Sequence, residues 1–351
     1  MTVLVALFGI CISGPLPRWL GGEEALWKDA SAYFLVFAIT MPFMELNWLA
    51  SGFLQSAGNM VVPSVLNSVI CVLDVILNAT FIPRYGVLGA ALGTGLATAI
   101  VCLAEIWFCC LRYEPLRLNR KEKCPLDVSI LKRALKIGTP VGVESIAMSG
   151  ASVVSTMIIA PLGAVSIAAH AFAITAERLC YMPGYGIATA ASTLVGQSVG
   201  AKDHRLARRY GYITVIFGSA MMTLTSIIMY IGCPMVFGLL TPVEEVQTVA
   251  AQILRIGLIA EPLYGVSMVA SGALRGAEDT LVPSILNLFS IWVVRLGLAL
   301  ILVPLYGIHG MWAAMAVELC VRGLLLLARQ IRSKYLHPDR KKEERIPAVS
   351  S

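Results

Sequence analysis

The chain has 351 residues, 58% of them hydrophobic and 14% charged, with a net charge of +6 and a mean hydropathy of +0.79. Soluble globular domains carry about 45–50% apolar and about 25% charged residues, so this composition excludes one and points to an integral membrane protein. The basic residues sit in the gaps between apolar blocks, where membrane topology accounts for them without a nucleic-acid partner.

Apolar blocks recur at the length of about 20 residues that a spanning helix needs. The first, Val3 to Ile12, follows Met1 with no basic region before it, so it reads as the end of a helix over 1–14 and not as a signal peptide. A loop with Pro15, Pro17, Gly21 and Gly22 follows. Full helices are expected at about 30–56, 61–83 and 86–112. A polar connection comes next, with Arg117, Arg120, Lys121, Lys123, Lys132 and Arg133. Six more helices are expected at about 134–160, 164–197, 206–235, 246–275, 280–304 and 307–330. The chain closes on a charged stretch that includes Arg340, Lys341, Lys342, Glu343 and Glu344.

Lys and Arg placement orients these segments. The connection, the loop with Lys202, Arg205, Arg208 and Arg209, Arg275 and the tail share one side. Arg18, Lys28, Arg84, Glu244 and Glu245 fall on the other. The basic side, and with it the C-terminus, is expected to be cytoplasmic. The nine cysteines, Cys124 among them, form no C-x-x-C and mostly lie inside apolar runs, which reads as small apolar fillers.

An internal repeat organises the chain. Residues 50–67 read ASGFLQSAGNMVVPSVLN and residues 270–287 read ASGALRGAEDTLVPSILN, with Pro63/Pro283, Ser64/Ser284 and Asn67/Asn287 among the matches. One inserted residue later, Tyr85-Gly86 and Gly89 meet Tyr306-Gly307 and Gly310. A period this long fits a transporter built from duplicated bundles. On this register Met1 falls near Met221, so two helices and most of a third are expected to precede it. The expected organisation is an N-terminal lobe over 1–112, a cytoplasmic linker over 113–133, a C-terminal lobe over 134–330 and a cytoplasmic tail over 331–351.

Four stretches resemble the multidrug and toxic compound extrusion (MATE) family: Ile137-Gly138-Thr139-Pro140 with Glu144, Tyr181-Met182-Pro183-Gly184-Tyr185-Gly186, Leu194 to Ala201, and Ser271 to Thr280. Glu278 departs from the family, which usually has glycine there. The resemblance implies an all-α polytopic membrane protein of two related helix bundles. About ten of twelve helices would be present, from a partial third to the twelfth. It further implies a monomer in a bacterial plasma membrane that exchanges H⁺ or Na⁺ for small organic, often cationic, compounds. No catalytic residue, metal or cofactor beyond the coupling ion is expected. A flippase of lipid-linked sugars from the same superfamily and an inactive remnant are the alternatives.

Ionisable side chains at membrane depth are costly and mark function by default. Glu144 lies one turn after Pro140 beside a stripe of Ser145, Ser149, Ser152 and Thr156, and is read as facing a cavity. Glu261 precedes Pro262, which frees backbone carbonyls. Asp74 and Asn78 share a helix face at i,i+4 and can ligate a cation or carry a proton. These four are the expected coupling residues. Glu45, Glu177, Arg178, Tyr181, Tyr264 and Arg295 are the cleft candidates. Glu318 and Arg322, also at i,i+4, are expected to pair structurally, and Arg178 reads equally as strut or gate.

Overall fold

The computed structural model of the chain describes residues 2–19, 24–117 and 128–333. Every regular element among them is helical. Part of the expected linker, with Cys124, and the tail beyond Ser333 lie outside the described residues. The chain divides into two units, Met1–Pro125 and Leu126–Ser351.

The first unit holds α1 (Thr2–Ile12), α2 (Leu16–Trp19), α3 (Glu24–Ser56) and α4 (Val61–Trp107), followed by a π turn at Phe108–Arg112. The two helices expected over 61–112 form one assigned run, interrupted at Gly86 by φ 58 and ψ −131. That conformation is nearly closed to any residue with a Cβ. It folds the run back on itself. Gly89 then approaches so closely that a Cβ there would lie 2.4 Å from the carbonyl oxygen of Phe81.

The second unit holds α5 (Val128–Ile159), α6 (Ala164–Gly200), α7 (His204–Leu240), α8 (Glu244–Leu258), α9 (Glu261–Gly276), α10 (Leu281–Phe289), α11 (Leu296–Tyr306) and α12 (Ile308–Arg332). Its main core gathers α6, α7, α8, α11 and α12 around the fully buried Trp312, Leu254 and Leu258. One expectation changes here. The helix expected over 246–275 breaks between α8 and α9 with a bend of 55°. Pro262 leaves no N–H to continue the ladder, and the Ser226 hydroxyl donates to the freed carbonyl of Leu258 at 2.7 Å. α6, by contrast, runs unbroken from Ala164 to Gly200 with Pro183 inside it.

The repeat is visible in the backbone of each unit. Gly307 has φ 59 and ψ −137, almost the torsions of Gly86, and a Cβ on Gly310 would lie 2.2 Å from the carbonyl of Leu302. Gly58 and Glu278, also equivalent, both have positive φ. The inserted residue of the second copy is taken up in a π segment, Ser290–Arg295, between α10 and α11. One extra residue within an α-helix produces such a bulge, often at a functional position.

Six described helices are long and apolar enough to cross a membrane, or seven if α8 and α9 together form one span. α6 is not among them. It carries the adjacent charges Glu177 and Arg178 and a second half rich in Ser, Thr and Gly.

Candidate functional site

The second unit concentrates buried charge where α6, α9, α12 and the π segment meet. Glu318, fully buried on α12, accepts from Arg295 through Nη2 at 2.6 Å and Nε at 3.1 Å. Its other oxygen lies 3.0 Å from Nε of Arg322, the i,i+4 pair expected from the sequence. The Arg322 guanidinium also stands 5.3 Å from the ring centre of Tyr264. Tyr264 meets Tyr181 edge to face at 5.8 Å, and Tyr181 meets Tyr185 at 5.7 Å. The cleft candidates Tyr181, Tyr264 and Arg295 are thus brought together.

Two further carboxylates adjoin this cluster. Glu177 is buried on α6, while the adjacent Arg178 points to the exposed side, as neighbouring residues on a helix must. The charges of Arg295 and Arg322 act on Glu177, and that of Glu177 acts on Glu261. The α8 backbone presses close at Gly257, where a Cβ would sit 2.8 Å from the Trp312 ring and 3.5 Å from Oε1 of Glu177. Trp312 in turn donates through Nε1 to Nδ1 of His170 at 3.2 Å.

Glu261 is the first residue of α9. It is 0% exposed, and neither of its carboxylate oxygens has a hydrogen-bond partner. Buried polar groups are almost always bonded, so an unsatisfied carboxylate beneath a helix break is a place for a bound proton or cation. Arg295 and Arg322 answer Glu318 and Glu177, and Glu261 adds a third carboxylate, one negative charge in excess when all are ionised.

Glu144 departs from its expected setting. It does not face a cavity: it is buried, and four contacts use its oxygens. Arg275 Nη2 reaches both oxygens at 3.1 and 3.2 Å, Ser284 Oγ donates at 2.5 Å and Asn287 Nδ2 at 2.8 Å. The neighbouring stripe is satisfied by its own helix, with Ser145, Ser149 and Thr156 each donating to the carbonyl four residues back.

In the first unit Asp74 and Asn78 do share a face. Asn78 Nδ2 donates to Asp74 Oδ1 at 3.1 Å, and Thr94 Oγ1 from the second limb of α4 donates to the same oxygen at 2.7 Å. Asn78 Oδ1 is buried without a partner. Glu45 is exposed on α3, in a shallow groove with Trp48 and Phe53. Sequence reading passed over Glu105, which is 0% exposed and accepts from Ser51 at 2.7 Å. Its return to the Thr94 face about three turns on was the available signal.

Comparison with known proteins places these features in a family. The MatE family model matches residues 1–80 and 140–301. The chain is 28% identical over 347 residues to the probable multidrug resistance protein NorM of Chromobacterium violaceum, covering 94% of this chain and 74% of that one. Among solved structures, the outward-facing conformation of a multidrug resistance MATE family transporter superposes with a TM-score of 0.89 at 20% identity, covering 96% of this chain and 76% of that one. The Vibrio cholerae MATE transporter VcmN in its bent form gives 0.84 at 19%, covering 97% and 77%. At such identities the two structures establish the shared fold.

Proposed function

The chain belongs to the MatE family, and from that premise we propose that it is a cation-coupled antiporter exporting small organic cations. As a family member it is a multi-pass membrane transporter and not an enzyme. We assign coupling in the second unit to Glu261 with Glu177, and in the first to Asp74 with Asn78 and Thr94. Glu144 becomes a structural clamp, because its oxygens are already taken by Arg275, Ser284 and Asn287. The proposal places the chain in a bacterial plasma membrane as a monomer, with the basic loops and C-terminus cytoplasmic.

The observation that carries this reading is Glu261, a buried carboxylate with no hydrogen-bond donor, beside the Tyr181–Tyr264 pair. A proton or Na⁺ bound there and a cationic cargo held against the aromatic rings neutralise the same negative charge. The two then compete. If the states open to either side of the membrane bind ion and cargo differently, the ion gradient drives the cargo outward. With H⁺ as the coupling ion, cargo binding weakens as pH falls.

A lipid-linked sugar flippase would need cations free to hold a diphosphate. Here Arg295 and Arg322 are engaged by Glu318, and Arg255 stands 5.1 Å over the Tyr230 ring. The deciding experiment is efflux of a fluorescent organic cation from proteoliposomes under an imposed pH or Na⁺ gradient. Wild type should respond to one gradient, and Glu261→Gln and Asp74→Asn should each lose at least about tenfold in rate, equivalent to about 1.4 kcal/mol. A wild type that moves no cation under either gradient, or variants that match it, would overturn the assignment.

A further inference from the structure

Glu105 stands apart from the coupling residues assigned above. It lies on the second limb of α4 about three turns beyond Thr94, hence about 16 Å along the axis and on nearly the same face. Asn67, on the first limb, lies about two turns before Asp74. The fold-back at Gly86 therefore carries two separate polar stations, Asp74–Thr94 and Asn67–Glu105.

The second station is a directed chain of hydrogen bonds. Asn47 Nδ2 donates to Asn67 Oδ1 at 3.3 Å, Asn67 Nδ2 to Ser51 Oγ at 3.4 Å, and Ser51 Oγ to Glu105 Oε1 at 2.7 Å. Each bond points toward the carboxylate, so each polarises the next. Asn67 is exposed, which brings the edge of the chain to the surface of the unit. At the buried end the bonding stops: Glu105 Oε2 has no partner, and neither does Asn47 Oδ1.

Among the described residues, no cation offsets Glu105. All the ion pairs among the described residues lie in the second unit. The titratable groups nearby are Cys102 and Cys109 on the same run. Around it, Asp74 is held by Asn78 and Thr94, Glu45 is exposed, the Arg112 guanidinium lies 6.0 Å from the Trp107 ring centre, and the Tyr113 hydroxyl donates to the Ala57 carbonyl. An anion buried against one hydroxyl with no counter-charge is costly. A proton on Oε2 removes that charge while leaving Oε1 to accept from Ser51.

We propose that Glu105 binds and releases a proton in the first unit, independently of the Asp74 station, with Ser51 positioning the carboxyl group. The inference rests on the surroundings of Glu105 alone and stands whether or not Asp74 couples transport.

The test is the infrared carbonyl band of protonated carboxylic acids, recorded on the full chain in lipid nanodiscs as pH is raised. Wild type should show a component that fades with rising pH, is absent from Glu105→Gln and persists in Asp74→Asn. Ser51→Ala should displace the same component, because the bond to Oε1 is lost. Featureless difference between wild type and Glu105→Gln, or a Glu105 component unchanged at every pH, overturns the proposal. Should Glu105→Gln fail to fold, Ser51→Ala carries the test, and a pH-dependent component that it leaves unmoved overturns the proposal as well.

Discussion

Glu144 and Glu261 are the same residue type in similar sequence settings, each within about a turn of a proline in an apolar run, yet their surroundings give them opposite energetic signs. Glu144 gathers Arg275, Ser284 and Asn287. Glu144→Ala leaves the Ser284 and Asn287 donors buried and unpaired, and should lower unfolding free energy by about 2–4 kcal/mol. The share due to Arg275 is reduced, since its side chain is 38% exposed. Glu261 has no partner to lose. Glu261→Met should therefore raise stability by about 1 kcal/mol while abolishing cation-driven efflux, the usual trade of function against stability. Thermal melts of the two purified variants, run beside the efflux assay, check both. A Glu261→Met protein less stable than wild type would mean that the carboxylate is bonded after all.

Helix breaks are where the elements are specialised. The two fold-backs, at Gly86 and Gly307, use one backbone conformation in both copies of the repeat. The turn between α9 and α10 does not keep this economy. Its first-unit counterpart has Gly58 at φ 88, whereas Glu278 occupies φ 64. A side chain in the left-handed region costs about 1 kcal/mol, and the exposed ion pair of Glu278 with Arg133 returns no more than about that. Glu278→Gly relieves the strain and Glu278→Ala keeps it, although both lose the ion pair. The glycine variant should therefore be about 1 kcal/mol more stable than the alanine variant, as read from their denaturation midpoints. Equal midpoints would place Glu278 in an ordinary conformation. The π segment shows the opposite use of irregularity: the extra residue of the second copy delivers Arg295 to Glu318 at the position that Asp74 holds in the first.

For the whole molecule, charge asymmetry across the membrane makes the sharpest prediction. The α6–α7 turn and the start of α7 carry Lys202, Arg205, Arg208 and Arg209, whereas the first turn of α8 carries Glu244 and Glu245. Single cysteines introduced at Lys202 and at Glu244, in a background without native thiols, should be labelled by an impermeant maleimide from the cytoplasmic and outer faces respectively. Labelling of both from one side would undo the helix count. The apolar surface supports the same picture, with exposed residues such as Leu239, Met235 and Ile231 along α7. Such a stripe suits lipid and would be a liability in water.

The sequence by itself determined the membrane setting, the helices apart from the break between α8 and α9, the duplication and the family resemblance. Each of these is written locally, in block length, in the position of Gly and Pro, or in short motifs. It also reached Asp74, Asn78 and the Glu318–Arg322 pair, because i,i+4 neighbours meet on any helix. Only the tertiary structure decided which carboxylates are satisfied. The donors around Glu144 come from α9 and α10, far along the chain, and Glu261 is bare because no donor reaches the first turn of α9. Glu105 went unread for the same reason: Ser51 lies on another helix, and only packing brings its hydroxyl to the carboxylate. The role of a buried acid is set by the groups folded around it, and a linear sequence does not say which those will be.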